Sequence, residues 1–417
     1  MNSLPVSAPS TASLFHHRPF RLLFTTRTAA NTANQMQAVA VGWLIYDLTG
    51  SALALGLIGL VQFIPPLALS LIAGQVVDRY SRKYILISCY IVEFTVSAGL
   101  LTLAVFADRP VRLIFGLLLA NAVARTFEAP ALQSLVPSTV PREILMRAVS
   151  AHASAGKMSQ LIGPALGGLL YVFGAGVDFG LCAALVLMAG IASILLPVPP
   201  APAQPPKVTW TTIVAGVRFI WHEPAVLGAM SLDLAATLFG GVVALLPIFA
   251  RDILQINSWG FGLLRAAPAT GALIVAVILT RTTINRSGGH IMFGAVAIYG
   301  IATIAFGLST HAGLSLVLLM IVGSADMLST VIRQSLMQFA TPDHMRGRVF
   351  AVNALFANTS SQIGMFESGV TADWFGAVAS AILGGVAVLV IVAIWAWRFP
   401  TLRNVQRPDQ LVAMQSR

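Results

Sequence analysis

The stretch Gln133-Ser134-Leu135, which opens a segment ending at Gly168, recurs as Gln334-Ser335-Leu336 in a segment ending at Gly369. The two segments are offset by 201 positions (334 − 133), and 10 of their 36 aligned positions are identical. The matches include Pro141 with Pro342 and Arg147 with Arg348. Apolar segments share a small alphabet, but Gln, Pro and Arg do not belong to it. We therefore predict that the chain contains two copies of one structural unit.

The composition independently indicates a membrane protein. Hydrophobic residues make up 57% of the chain and charged residues only 10%, whereas soluble proteins carry about 25% charged residues. Apolar runs of about 20 residues, enough to cross a bilayer core, predict an all-α membrane protein with 12 transmembrane helices in two pseudo-symmetric halves of six. The predicted spans are 20–46, 53–73, 84–106, 111–132, 148–173, 179–196, 225–249, 260–280, 291–308, 314–338, 349–372 and 374–397.

A proline-rich stretch at 197–206 separates the two sets of spans and predicts a semi-rigid, extended spacer. The residues from Trp210 to His222 mix aromatic, aliphatic and polar side chains. This mixture suits either an interfacial helix on the membrane surface or a plain linker helix. The predicted organisation is a tail at 1–19, the first half at 20–196, a linker at 197–224, the second half at 225–398 and a tail at 399–417.

The distribution of positive charge predicts the orientation. Of the 25 Lys and Arg residues, about 17 fall on the side that holds both termini, about 3 on the other side and about 5 within the spans. The positive-inside rule therefore places both termini in the cytoplasm. Contacts with anionic lipid explain the net charge of +10 without a nucleic-acid partner. The first 19 residues contain no apolar segment typical of a cleavable signal peptide.

Motifs of enzymatic chemistry are missing from the sequence. It contains no GxxxxGK[ST], GxGxxG, GxSxG or HExxH pattern and no cluster of Cys and His with metal-ligand spacing. We expect neither an enzyme nor a protein with a cofactor or metal. Cys89 and Cys182 fall near opposite ends of their predicted helices, so we expect no disulfide between them.

The loop between the second and third predicted spans holds a glycine, an acid and three cations at fixed spacing: Gly74, Asp78, Arg79, Arg82 and Lys83. We expect the glycine to allow close helix approach and the acid to cap a helix N-terminus. The spacing resembles the loop signature GxxxDRxGRR/K of the major facilitator superfamily. This resemblance implies a latch that holds the two halves in one conformation. The counterpart loop at 281–289 has no acid, so we expect an asymmetric latch.

A second signature lies in the fifth predicted span, where Gly163, Pro164, Gly167 and Gly168 form a GPxxGG pattern. Gly163 and Gly167 form a small-xxx-small face suited to tight helix contact, and proline is expected to kink the helix. The pattern is similar to the core of a motif that marks antiporters, chiefly exporters, in the same superfamily. The alternative is a kinked packing helix with no bearing on direction.

Two further stretches, 46–53 and 342–348, resemble the branch of the superfamily that comprises the enterobactin exporters and the transmembrane secretion effectors. The resemblance spans essentially the whole chain. It implies a proton-driven exporter of drugs, siderophores or secondary metabolites in the bacterial inner membrane.

Charged residues within the predicted spans are the strongest site candidates, because burying a charge at membrane depth costs at least about 2.5 to 3.5 kcal/mol. Asp233 falls close to the midplane. Asp326 and Arg125 are equivalent under the 201-residue offset and so predict opposite charges at matching depth. Arg125 and Glu128 either take part in proton transfer, as a weak resemblance to an RxxQ pattern implies, or neutralise each other on one helix face.

Other polar residues complete the predicted site. Arg333 lies two helical turns from Asp326 and allows a second charge pair along the tenth span. In the resembled superfamily the first, fourth, seventh and tenth helices line the cavity, which implies that Asn31, Asn34 and Gln35 belong to it. Glu367 either lines the exit path or packs against polar neighbours. Glu93, Lys157 and Arg265 also lie inside spans, and the sequence assigns them no role.

The sequence therefore predicts a secondary active transporter that exports small amphipathic molecules in exchange for protons by alternating access. We expect its partners to be the substrate, protons and the lipid bilayer, and we expect it to act as a monomer. An uptake symporter is the alternative transporter. A non-transporting receptor or scaffold is the other, although such a protein would normally bring a soluble interaction domain.

Overall fold

The computed structural model describes residues 14–106, 110–197, 210–281 and 288–403. The first half consists of six long helices whose ends follow the turn residues and charged loops of the sequence. They are α1 (Arg18–Thr49), α2 (Ala52–Arg79), α3 (Arg82–Val105), α4 (Val111–Leu135), α5 (Leu145–Tyr171) and α6 (Ala175–Leu195). Single-turn 3-10 helices at 14–16, 136–138 and 142–144 precede α1 and join α4 to α5.

The second half follows a linker helix and repeats the pattern with one difference, a broken first span. The helices are α7 (Trp210–His222), α8 (Pro224–Phe239), α9 (Leu246–Ile248), α10 (Ser258–Arg281), α11 (Gly288–Leu308), α12 (Ala312–Ala340), α13 (Asp343–Phe375), α14 (Ala377–Arg398) and α15 (Pro400–Arg403). A 3-10 turn at 242–245 precedes α9 and a π turn at 249–253 follows it.

The seventh predicted span is thus not one continuous helix. The α8 helix ends at Phe239, and Gly240 and Gly241 separate it from the short turns that continue to Ile253. The Tyr299 hydroxyl of α11 donates a hydrogen bond to the Gly240 carbonyl oxygen at 2.9 Å. That bond satisfies a backbone acceptor that the interrupted helix leaves open.

Among the described residues, nine helical segments are long and apolar enough to cross a membrane. The other three predicted spans correspond to α1, α5 and α13, which have 32, 27 and 33 residues but carry more polar side chains. The prediction of an all-α membrane protein is confirmed. The count of 12 spans rests on assigning these three long, more polar helices to the membrane.

The two halves meet along two seams. In one seam α2 packs against α13, and in the other α5 packs against α10. A side-chain carbon added at Gly56 of α2 would lie 2.9 Å from the Cα of Gly369 in α13. One added at Gly168 of α5 would lie 2.6 Å from the Cα of Gly262 in α10. Helix backbones touch at both places because glycine has no side chain to separate them.

The apolar core distinguishes the two ends of the bundle. We call the end where α1 begins and α14 ends the terminus side, and the opposite end the far side. On the far side one continuous core joins both halves and includes Val39, Leu55, Phe249 and Phe261. On the terminus side the core of the first half is separate from the two smaller clusters of the second half. Among the described residues, the apolar cores of the two halves therefore merge on the far side and stay separate on the terminus side.

Residues 198–206 of the predicted proline-rich spacer, and the next three residues of the linker, lie outside the described residues. The helix predicted at Trp210 to His222 is present as α7. It packs against the start of α13, where Gly216 faces the backbone of Arg348 and the side chain of Val352. Most of both predicted tails, at 1–13 and 404–417, also falls outside the described residues.

Candidate functional site

The second half contains a buried ion pair at the centre of the predicted site. The guanidinium of Arg333 in α12 lies 3.1 Å from the carboxylate of Asp233 in α8, and both side chains are less than a tenth exposed. Arg333 also donates hydrogen bonds to Asn353 in α13 and to the Thr330 hydroxyl. Three helices therefore converge on one guanidinium, which fixes its position and offsets the cost of burying its charge.

Asp326 lies next to this pair but outside it. A small pocket between α8, α11 and α12 is lined by Asp233, Thr237, Tyr299, Asp326 and Ser329. Helical spacing allows a charge pair between Arg333 and Asp326 along one helix; in the structure the ion pair of Arg333 is with Asp233. Seven residues of helix separate Arg333 from Asp326 by about 10 Å, whereas α8 brings Asp233 into direct contact.

The first half contains a different arrangement, built on two buried carboxyl groups. The Tyr90 hydroxyl donates a hydrogen bond to Glu128 at 2.9 Å. The Asn34 amide donates to Glu93 at 3.3 Å, and Asn121 donates to Asn34 at 3.2 Å. Glu93 and Glu128 are 1% and 2% exposed. The interior of this half therefore holds a hydrogen-bonded carboxyl network where the other half holds an ion pair.

Arg125 and Arg27 supply positive charge near these carboxyl groups without touching them. Arg125 interacts electrostatically with Glu93, and Arg27 with Glu128. Neither arginine forms an ion pair in the described part of the chain. Arg125 and Glu128, which the sequence placed on one face of a helix, therefore do not form a contact pair. One buried guanidinium nitrogen of Arg125 has no hydrogen-bond partner.

The remaining predicted cavity residues are scattered. Asn31 and Gln35 are partly buried in α1, and Gln35 lies against Gly163 of α5. Glu367 is partly buried in α13 and accepts a hydrogen bond from the Ser368 hydroxyl at 3.4 Å. Glu367 is two positions from Gly369 and so lies on the opposite side of α13 from the glycine contact with α2. These three residues do not join either buried cluster.

The predicted latch loop is shorter than the sequence suggested. Asp78 lies in the last turn of α2, and the N-cap of α3 is Ser81, so Asp78 does not cap that helix. A side-chain carbon added at Gly74 would meet nothing within 4 Å, which contradicts a close helix approach there. Only two residues, 80 and 81, join α2 to α3. Asp78 therefore lies inside α2 and not in the loop.

The cations of this loop bind within their own half. Arg82 donates a hydrogen bond to the Ser134 carbonyl at the end of α4, at 3.1 Å. Lys83 donates to the Leu196 carbonyl after α6, at 2.8 Å. Asp78 and Arg79 are exposed and form no ion pair with described residues. The loop thus ties α3 to α4 and α6, while Arg286 of the counterpart loop lies outside the described residues.

The GPxxGG segment shows the predicted tight packing. A side-chain carbon at Gly163 would lie 2.5 Å from Gln35 Cβ, and one at Gly167 would lie 2.9 Å from Met36 Cα. Gly168 contacts the other half at Gly262, and the Pro164 carbonyl lies 2.6 Å from the carbon that a side chain at Gly262 would add. The segment therefore packs α5 against α1 on one face and against α10 on another.

Polar contacts seal the far side, and the sequence did not predict them. Arg251 in the π turn lies 2.8 Å from Asp47 at the end of α1, and the Tyr46 hydroxyl donates to Asp252. Trp43 packs against Phe261 with ring centroids 5.5 Å apart. Tyr46 and Asp47 lie in the stretch 46–53, whose sequence resembles a family branch but does not predict a structural role for either residue.

Lys157 and Arg265 are two further cations that sequence reasoning left without a role. Lys157 of α5 is exposed, lies 3.4 Å from the Gln160 side-chain oxygen and interacts electrostatically with Asp326 across the halves. Arg265 lies in α10, the other helix of the same seam.

The architecture is that of the major facilitator superfamily. The solved nucleoside transporter NupG matches with a TM-score of 0.69 at 13% identity, covering 91% of this chain and 99% of that one. A bacterial homologue of the human lysosomal transporter Spinster, solved inward-facing and unoccupied, matches with a TM-score of 0.71 at 13% identity, covering 97% and 98%. At such identity these likenesses establish the fold alone.

The chain belongs to the transmembrane secretion effector family, whose model matches residues 9–415. It is 28% identical over 410 residues to the enterobactin exporter EntS of Escherichia coli (strain K12), covering 96% of each chain. The same protein of Shigella boydii serotype 4 (strain Sb227) is 28% identical over 419 residues, again covering 96% of each. The chain is thus a multi-pass membrane transporter and not an enzyme.

Proposed function

We propose that this protein exports small amphipathic molecules from the cytoplasm in exchange for protons. In this proposal it lies in the bacterial inner membrane with both termini in the cytoplasm, and the terminus side is the cytoplasmic side. Whole-chain similarity to enterobactin exporters supports export and makes a siderophore a reasonable first cargo to test. The GPxxGG segment, with its tight contacts to α1, also favours an antiporter.

The observation that carries the proposal is the buried pair Asp233 and Arg333 beside Asp326. A transporter coupled to protons needs a carboxyl group at membrane depth whose charge changes with conformation. Asp233 and Asp326 line one pocket, and Lys157 of the other half acts on Asp326. We propose that movement of the halves changes the distance between these charges, and that Asp233 or Asp326 gains or releases a proton as a result.

The state of the molecule fits one step of this cycle. The far-side core is continuous across the halves and the terminus-side cores are separate. With the termini in the cytoplasm, this arrangement corresponds to an inward-open state ready to accept cargo. Rocking of the halves about the two seams would open the far side and release the cargo outside.

The test is proton movement in proteoliposomes that carry a pH-sensitive dye and are offered enterobactin and a panel of amphipathic drugs. We expect a transported compound to discharge an imposed pH gradient through the wild type. Asp233→Asn or Asp326→Asn, whichever removes the proton carrier, and the variant with both changes should reduce this discharge by at least about tenfold, because an amide cannot exchange the proton. The matched control is Asp373→Asn, which removes an exposed acid at the end of α13.

Undiminished discharge in the double variant would overturn the assignment of the proton to these acids. Uptake of the compound along the proton gradient, instead of extrusion, would establish the alternative symporter. Transport that does not depend on the pH gradient would remove proton coupling from the proposal.

The same variants separate coupling from stability. Asp233→Asn leaves the Arg333 guanidinium buried without its acid, which typically costs about 3 to 5 kcal/mol. Asp326→Asn breaks no ion pair in the described part of the chain, so its unfolding temperature should stay near that of the wild type. The double variant Asp233→Asn with Arg333→Gln should recover stability without recovering proton movement. Equal unfolding temperatures for both single variants would contradict the structural role of the pair.

A further inference from the structure

Arg265 is a cation inside the membrane for which the described residues supply no partner. It forms no ion pair or hydrogen bond with them, and no acid acts on it electrostatically. The other cations well inside the described spans each have a nearby acid: Arg27 with Glu128, Arg125 with Glu93, Lys157 with Asp326, and Arg333 with Asp233. A charge at membrane depth is costly and by default marks a functional site.

Arg265 points away from the lipid. Exposed apolar residues of α10, including Ile274 and Ile278, mark its lipid-facing side. At about 100° per residue, Ile274 lies directly opposite Arg265, nine positions away. Gly262, which touches Gly168 of α5, is three positions from Arg265 and lies on the same side of the helix. The guanidinium therefore faces the interior of the bundle, beside the seam between α5 and α10.

Arg265 is not sealed inside this seam. The backbone contact at Gly262 closes it toward the far side, and Arg265 lies about one turn further toward the terminus side, where the cores of the halves are separate. Guanidinium nitrogens of Arg27, Arg125 and Arg333 are buried without a partner, whereas none of Arg265 is sealed in this way. A ligand that enters from the terminus side can therefore reach Arg265.

A second cation lies on the opposite wall of the same seam. Lys157 of α5 is seven positions from Pro164 and eleven from Gly168, so all three share the face that meets α10. It is exposed and lies eleven residues of helix, about 16 Å, from Gly168 toward the terminus side, where it interacts electrostatically with Asp326. The entrance of the seam therefore carries positive charge from both halves.

We propose that Arg265 binds an anionic group of the transported molecule, so that the cargo class is amphipathic organic anions. This inference rests on the proposed function only in treating the bound anion as cargo. A guanidinium presents paired N–H donors that match both oxygens of a carboxylate. The apolar seam around it would hold the hydrophobic body of the cargo. An anion bound at this place would provide the negative charge that none of the described residues provides for Arg265.

The test uses two probes of nearly equal shape, 2-naphthoate and its neutral amide 2-naphthamide. Their binding to the purified protein in lipid nanodiscs is followed by thermal unfolding, because a ligand stabilises the state it binds. We expect the wild type to bind the carboxylate at least about tenfold more tightly than the amide, a difference of about 1.4 kcal/mol. Arg265→Met should remove this preference, and Arg265→Lys, which keeps the charge but not the paired donors, should weaken it.

The matched control is Arg281→Met, which removes an exposed cation from the end of the same helix. It should keep the preference of the wild type. Without ligand, Arg265→Met should unfold at the same or a higher temperature, because it removes an unpaired, partly buried charge. Lower stability together with an unchanged preference would show a purely structural arginine and overturn the proposal.

Equal binding of both probes to the wild type would also overturn it. The readout is separable from transport, because the preference for the carboxylate is measured without a gradient. Export in proteoliposomes together with no anion preference would reject this inference and keep the proposed function. The reverse result would reject export and keep the anion site.

Discussion

The two seams between the halves begin alike and then diverge. Gly56 is the fifth residue of α2, as Gly262 is of α10, and each touches a glycine of the other half. One turn further the residues differ: α2 has Gly59, whose added side-chain carbon would lie 2.7 Å from the Gln362 carbonyl oxygen, and α10 has Arg265. One seam keeps a close backbone contact over a further turn, whereas the other has a charged side chain at the equivalent position. The two copies of a repeated unit can thus share the same glycine contact, while only one copy carries the charge that we propose binds the ligand.

The largest expected effect comes from forcing either glycine contact apart. Gly168→Leu or Gly369→Leu inserts four heavy atoms between touching backbones, and overpacking costs about 1 to 3 kcal/mol or more. We expect transport to be lost and the far side to separate. Distances between spin labels at Phe173 and Leu308, exposed far-side positions of different halves, should lengthen.

Gly180→Leu is the control for this experiment, since a side-chain carbon there would meet nothing within 4 Å. It should leave the distances and the transport rate near those of the wild type. Unchanged label distances in Gly168→Leu would mean that backbone contact does not close this seam. A change in only one of the two glycine variants would show that a single seam carries the closure.

A single added methyl group should have a smaller effect, and one that depends on whether the glycine lies in a seam. Gly59→Ala places its carbon against the Gln362 carbonyl and the Met365 side chain, so we expect about 1 to 3 kcal/mol of destabilisation. Gly74→Ala meets open space and should be neutral or stabilising by about 0.5 to 1 kcal/mol, because alanine favours a helix. Thermal unfolding of the two variants in one detergent compares them directly. Equal destabilisation by Gly59→Ala and Gly74→Ala would show that Gly74 also lies in a close helix contact, as the sequence predicted.

The smallest expected effect comes from the ion pair between Asp47 and Arg251 on the far side. Asp47 and Arg251 are 48% and 44% exposed, and exposed pairs contribute about 0.2 to 1 kcal/mol. Asp47→Asn should therefore hardly change the unfolding temperature but should shift the far-side label distances toward longer values. A double-mutant cycle with Arg251→Gln measures the coupling of the pair. A coupling energy of zero would mean that the glycine contacts and the apolar core close the far side without this ion pair.

Much of this architecture was predictable because repeats, hydropathy and small residues act through the backbone. The repeat at Gln133 and Gln334 indicated two halves, and the GPxxGG glycines indicated close packing at Gly163 and Gly167. The break at Gly240 was missed because glycine is common in membrane helices and the run around it is uniformly apolar.

The partners of charged residues were less predictable, since they depend on contacts between helices. Spacing along α12 put Arg333 on the same face as Asp326 but could not reveal that α8 brings Asp233 closer. Asp78 failed as a helix cap because α2 extends through it to Arg79. Helical spacing gives the face of Arg265, but only the packed structure shows that this face lies beside a seam and not against a partner.

The interruption of the seventh span at Gly240 and Gly241 has a mechanical consequence. Asp233 lies on the terminus side of the break, whereas Arg251 and Asp252 lie beyond it, on the turns that meet Tyr46 and Asp47. A continuous helix would transmit every tilt along its length, but two glycines can absorb the bend as rotation about their own backbone bonds. In the proposed transport cycle the far-side turns can therefore rotate while the ion pair around Arg333 stays in place, so the far-side contacts and the charged centre are separately adjustable parts of one span.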